Sequence, residues 1–219
     1  GTFTDIAPAL GADACWGTMS GNAGDLANSG RLGLLLGNGD PSMDRNEASM
    51  LYEHAIGPNG PRLRNVTFRA GLPAEGKGHG VNLADLTGDG RLHLIVGAGG
   101  LYPGDLLTTG VYRPRTRPGA YLRIHLEGTA SNRDGIGARL AIAPGDGRMI
   151  HRLVSGGSAF GWLPLAQHVG LGPDDAARDL RPSMTVTWPS GRIDHVVDLP
   201  INAAVRVIEG ENRWRSAAG

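Results

Sequence analysis

Asp25-Leu-Ala-Asn-Ser-Gly30-Arg-Leu-Gly-Leu-Leu-Leu-Gly37 and Asp85-Leu-Thr-Gly-Asp-Gly90-Arg-Leu-His-Leu-Ile-Val-Gly97 are two copies of one pattern, sixty residues apart. Each is a polar, glycine-bearing turn followed by a short apolar run, which reads as a strand buried on both faces. The same offset places Ile6 over Val66, Gly11 over Gly71, Asn22 over Asn82, and Leu51-Tyr52 over Val111-Tyr112. Self-similarity at a constant spacing is the mark of a repeat architecture. Around the shared turns, residues 49–56 and 63–68 flank Gly57-Pro-Asn-Gly60 and are expected to be strands. The opening residues Phe3-Thr-Asp-Ile-Ala-Pro8 are expected to form the last strand of a preceding unit.

Past Pro118 the pattern changes to simple alternation. Leu122, Ile124 and Leu126 fall on one face of a strand, and Arg123, His125 and Glu127 on the other. Residues 140–142, 149–154, 184–188 and 205–207 alternate likewise, and Gly145-Asp146-Gly147 is a hairpin turn between two of them. The expected architecture is therefore all-β: a partial β-propeller of blades over 1–112, a linker at 113–120, a small β-sandwich or barrel over 121–210 and a tail at 211–219. Propellers close with about four to eight blades. Two units do not close a ring, so the remaining blades are expected from the same protein or from another chain copy.

Composition agrees with this reading. Thirty-six glycines and fourteen prolines in 219 residues, with no collagen period, suit many short strands joined by turns. Twenty-one basic and twenty-one acidic residues cancel, leaving no field of the kind a nucleic-acid binder carries. Nucleic acid is not an expected partner. Cys15 is the single cysteine, which excludes an intrachain disulfide and a thiolate metal cluster. No apolar run approaches the roughly 20 residues that span a bilayer.

The turns resemble the FG-GAP calcium loop, D-x-[DN]-x-D-G-x-x-D. Three blocks of the second part resemble the ASPIC/UnbV family: Ser131-Asn-Arg-Asp-Gly-Ile-Gly-Ala138, Ser158-Ala-Phe-Gly-Trp-Leu-Pro-Leu-Ala-Gln-His-Val-Gly-Leu-Gly172 and Trp188-Pro-Ser-Gly191. That resemblance implies a propeller joined to a β-domain, as in secreted cartilage-acidic-protein relatives and in bacterial biosynthetic clusters. The UnbV branch belongs to enediyne polyketide clusters, and the Ala- and Arg-rich composition suits an actinobacterial source. The implied function is an accessory protein or enzyme of polyketide, including enediyne, biosynthesis, with a polyketide intermediate as small-molecule partner. The alternative is an extracellular or periplasmic binding module without catalysis. The first implies a cytoplasmic location, the second a secreted one.

Calcium asks for six to eight oxygens. Asp85, the Thr87 hydroxyl and Asp89 supply three positions of such a loop, but its closing acid is replaced by His93, a poor ligand for a hard cation. The first copy keeps Asp25 and has Ser29 and Gly33 where acids belong. A weak or lost Ca²⁺ site is expected at Asp85, Thr87 and Asp89, and none at Asp25. Residues 71–78 fall one residue short of a P-loop, lacking the hydroxyl that would hold Mg²⁺. Lys77, His79 and Asp105, all in loops of the second unit, are the candidate set for proton transfer or anion binding. His79, between two glycines, is expected to be exposed. The lone His168 is expected to have a packing or turn role.

Overall fold

A computed structural model of the chain describes residues 1–14, 17–39, 46–73, 76–99, 108–115, 119–157, 160 and 162–217. It is all-β, as expected, and built of four small sheets. The first sheet is an antiparallel meander of β1 (Thr18–Gly24), β2 (Gly33–Asn38), β3 (Met50–Gly57) and β4 (Gly60–Asn65). The second repeats it with β5 (Gly78–Ala84), β6 (His93–Ala98) and β7 (Gly110–Tyr112). The first residues of β1, β2 and β3 lie sixty positions before those of β5, β6 and β7. Even the irregularity repeats: the register shift between Thr18 and Ser20 returns between Gly78 and Gly80. Leu35, Leu51, Val81, Leu83, Leu94 and Val96 fill the core between these blade-like sheets. The buried Asn22 side chain donates to the Val81 carbonyl across the same contact.

The second part has two sheets around its own core. One runs in the order β11 (Gln167–Gly172), β8 (Ala120–Glu127), β14 (Ala203–Ile208), β15 (Trp214–Ser216), with β8 and β14 parallel. The other runs β10 (Ile150–Leu153), β9 (Arg139–Ala143), β12 (Ser183–Thr187), β13 (Ile193–Val196). Gly145-Asp146-Gly147 lies in the turn of the β9–β10 hairpin, as its glycines predict. Leu122, Ile124, Leu140, Ile142, Val186, Val205 and Val207 are sealed between the sheets. Their alternation along each strand is what puts one apolar face inward.

The expected strand at residues 3–8 is not formed. Residues 1–6 are irregular and exposed, and Ala7–Leu10 makes one helical turn, α1. Pro8 sits in the first turn, where its missing N–H costs nothing, and Gly11 closes the turn at φ 75°. The strand expected at 63–68 ends at Asn65, whose side chain accepts the Thr67 amide and starts a turn. The other helix among the described residues, α2 (Asp174–Ala177), is also four residues long.

Candidate functional site: the cleft between blades and β-domain

Both repeat turns fold the same way, because an aspartate at the first position gathers the amides that follow it. Asp25 accepts from Ser29 N (2.8 Å) and Gly30 N (2.7 Å), and Asp85 from Gly88 N (2.8 Å), Asp89 N (3.2 Å) and Gly90 N (2.8 Å). Their surroundings differ. Asp85 stays at the surface of its turn, whereas Asp25 is 1% exposed beneath the β-domain. There it also accepts from Gly170 N at 2.8 Å, with the Arg152 guanidinium 3.6 Å away. Burial leaves the Asp25 carboxyl above its ordinary pKa, with the Gly170 and Ser29 amides, the Arg152 charge and the Gly30 amide opposing it in part. With donors on every side and no acceptor for a proton, the group is a carboxylate at neutral pH.

Asn28, also 1% exposed, ties four parts of the chain together. Its Nδ2 donates to Gly90 O of the second unit (3.0 Å) and to Gly119 O before β8 (2.8 Å). Its backbone oxygen accepts from Gly172 N (2.8 Å), and its Oδ1 faces His168 Nε2 at 2.7 Å. Since the amide nitrogen is committed to two carbonyls, Oδ1 is the acceptor and His168 carries its proton on Nε2. The ring stacks on Tyr121 at 5.6 Å, and Tyr121 Oη donates to Gly88 O (2.9 Å). Burial, ahead of any charge, lowers the His168 pKa to about 4, so the imidazole is neutral. Its expected packing role is what the structure has, in the service of docking. Arg148 adds Nη1 to Ser29 O (2.7 Å) and Nη2 to Leu171 O (3.0 Å).

Above this contact lies a cleft of about 510 Å³, within the range of small-molecule sites. Leu32, Leu83 and Leu92 of the blades face Leu153, Leu163 and Pro164 of the β-domain across it. Its polar lining includes Asp25, Asp85, Arg123, His125, His151 and Arg152, with His168 at the docked edge. Arg123 and His125 come from the polar face of β8, which meets the blades. Burial, then the nearby Arg123 and Arg206, hold His125 below its ordinary pKa. Three buried nitrogens of the cleft lining have no partner among the described residues: Nε of Arg123, Nε of Arg152 and Nδ1 of His168.

Of the sequence candidates, Asp85 lines this cleft, while Lys77 and His79 lie away from it. Lys77 is 1% exposed at the start of β5, paired by backbone to Glu47. His79 is half-buried, against its expected exposure, because the Phe160 segment folds over it, ring edge to ring face at 6.4 Å. Its Nε2 is enclosed and unpartnered. Asp105 lies outside the described residues. In the second turn, Asp89 is held by Arg91 and by Arg113 Nη2 (3.0 Å), and the Arg91 bond above all depresses its pKa. The described residues contain no group of three or more His, Cys, Asp or Glu placed to hold a metal ion.

The motif blocks find structural roles. Glu209, 4% exposed, accepts from the amides of Thr129, Ala130 and Ser131 and from the hydroxyls of Ser131 and Ser190. Burial raises its pKa, but the Ser131 amide, the Ser190 hydroxyl and the Thr129 and Ala130 amides outweigh that and hold it at about 2. So the block beginning at Ser131 and the Trp188–Gly191 block meet on one acid. The third block supplies His168, Gly170 and Gly172 to the blades.

A family model described as ASPIC and UnbV matches residues 128–213. The resemblance drawn from the three blocks is borne out over that stretch, which begins one residue past β8. No curated protein matched the chain. No described helix is long and apolar enough to cross a membrane.

Proposed function

We propose that this chain is a binding module whose ASPIC/UnbV domain and blade-like sheets together form a cleft for a small molecule. The observation that carries this reading is the set of unpartnered buried nitrogens of Arg123, Arg152 and His168 around one cavity. An unmet buried donor or acceptor costs about 1–3 kcal/mol, and binding sites are where such a cost is recovered. The cleft gathers recognition groups: a guanidinium, the neutral His168 imidazole and leucine walls. The test is a ¹H–¹⁵N correlation spectrum of the protein titrated with a small-molecule library. Ligands are expected to shift the amides of Arg123, Arg152 and His168 saturably; a library leaving these resonances unmoved contradicts the reading.

A role in polyketide, including enediyne, assembly is a second proposal, supported by the resemblance and by apolar walls suited to a carbon chain. An iterative polyketide synthase encoded next to this protein supports it, and an unrelated neighbourhood removes it. We also propose that further blades, from the same protein or a second copy, complete the propeller. Weak Ca²⁺ binding at Asp85, Thr87 and Asp89, and chemistry at Lys77, His79 and Asp105, stay proposals of lower rank.

A further inference from the structure

The charges that line the cleft are committed, with one exception. Asp25 is saturated by three amides and Arg152, and Asp85 by three amides of its own turn. Arg152 spends Nη2 on Gly30 O (3.1 Å) and Nη1 on His151 O (2.9 Å), with Asp25 as its counter-ion. Arg123 forms no ion pair among the described residues, and its Nε is enclosed without an acceptor. The guanidinium lies along the second turn, where a Cβ on Gly88 would meet Nη1 at 3.7 Å.

His168 stands directly across from Arg123 in the β8–β11 register. Cross-strand partners present their side chains on the same face, about 4.5–5.5 Å apart at Cβ. His168 carries its proton on Nε2, so its unpartnered Nδ1 offers a lone pair. A donor fork and an acceptor therefore sit side by side at one end of the cavity, and Leu32, Leu83, Leu92 and Leu153 line the rest. A bare anion would satisfy Arg123 but face the Nδ1 lone pair. A bare alcohol would satisfy Nδ1 and leave the cation unpaired in apolar surroundings.

Building on the cleft as a binding site, we infer that its occupant is a small hydroxy acid with an apolar tail. The anionic group lies on Arg123, the hydroxyl donates to His168 Nδ1, and the hydrocarbon body lies along the leucines. Guanidinium pairs as a fork with carboxylate or phosphate. The shared chemistry is thus an oxyanion beside a hydroxyl.

Titration with 2-hydroxyoctanoate, octanoate, 2-hydroxyoctyl phosphate and 1-octanol, followed by calorimetry and by amide shifts, tests this. The two hydroxylated anions are expected to bind best; octanoate, lacking the hydroxyl bond, about tenfold weaker; and octanol, lacking the charge-assisted bond to Arg123, weakest. Their ratio tells carboxylate from phosphate as the preferred head. Arg123→Gln should weaken all three anions about tenfold or more and leave octanol unchanged; Arg123→Lys, which keeps the charge, should fall between. Octanol binding as well as 2-hydroxyoctanoate overturns the inference while leaving the cleft a binding site. Octanoate equalling 2-hydroxyoctanoate overturns it by removing the hydroxyl contact. A cleft that none of the four perturbs overturns both this inference and the binding reading beneath it. The wild-type ranking decides the matter even where the Arg123 variants do not fold.

Discussion

His168 Nε2 donates to Asn28 Oδ1 at 2.7 Å across 140 residues of chain. That bond joins a turn of the first repeat to a strand of the β-domain, and it sits in a patch with two more links. Asp25 receives Gly170 N, and Asn28 O receives Gly172 N. The contact is made of backbone amides meeting buried oxygens, so it demands close approach. A Cβ on Gly170 would overlap the Asn28 backbone. The Asp25 turn is thereby fastened to the β-domain by its own carboxylate and backbone.

The two equivalent aspartates should therefore behave differently. Asp25→Ala leaves three amides and Arg152 without their acceptor in a buried contact, and should cost about 3–5 kcal/mol in urea unfolding. Asp85→Ala breaks bonds within one half-exposed turn and should cost about 1 kcal/mol. Equal costs for the two would mean that the first turn is an ordinary surface turn.

Gly170→Ala should separate docking from folding. It leaves both hydrophobic cores intact and blocks the approach to Asn28. We expect the parent to unfold in one calorimetric transition and this variant in two. A variant that melts like the parent would show that the contact carries no strain.

Glu209 should set the acid limb of stability. Its pKa of about 2 is depressed below the ordinary 4.5, so its contribution is complete above pH 4.5 and is lost as pH falls towards 2. Urea midpoints of the parent and Glu209→Gln should be well separated at pH 7, by about 3 kcal/mol, and converge near pH 2.5. A gap that stays constant with pH contradicts an ionised Glu209 at the junction of the motif blocks.

His168 should not titrate in the physiological range. Its pKa of about 4 lies below the ordinary 6.5, so folding favours the neutral ring. The unfolded chain takes up a proton below pH 6.5 that the folded one refuses until pH 4, and stability falls through that window as pH drops. The Hε1 resonance of His168 should stay flat from pH 8 to 5, with the nitrogen shifts of an Nε2–H tautomer. A midpoint near 6.5 would mean that the ring is open to water.

Calcium should compete poorly at the second turn. Binding at Asp85, Thr87 and Asp89 would have to release Asp89 from Arg91 and Arg113. Calorimetric titration should show affinity no tighter than about 10⁻³ M, the weak end of calcium modules. Micromolar affinity abolished by Asp85→Ala would show that the arginines give way.

The repeat was legible because its offset survives in strand starts and even in the displaced register at Ser20 and Gly80. The sandwich core was legible because Leu122 and Ile124 alternate with polar neighbours. What alternation does not say is where the polar face points. Arg123 and His125 look like any outward pair, and only tertiary structure turns them toward the blades. Asp25 and Asp85 are the same residue in the same motif; the difference lies in Gly170, 145 residues away. Glu209 carries no local signature, since its partners come from two distant segments, residues 129–131 and Ser190. The short helix at Ala7–Leu10 has no signature in the sequence, because four residues are too few to show a helical period.

Blades and β-domain are expected to move as one body in solution, so that the cleft between them persists. Hydrogen exchange at the Gly170 amide tests it most directly. The account predicts that this amide exchanges only when the whole protein unfolds. In Asp25→Ala it should exchange early, while Ile124 and Val205 in the domain core stay protected. Rapid exchange of Gly170 in the unaltered protein would contradict it.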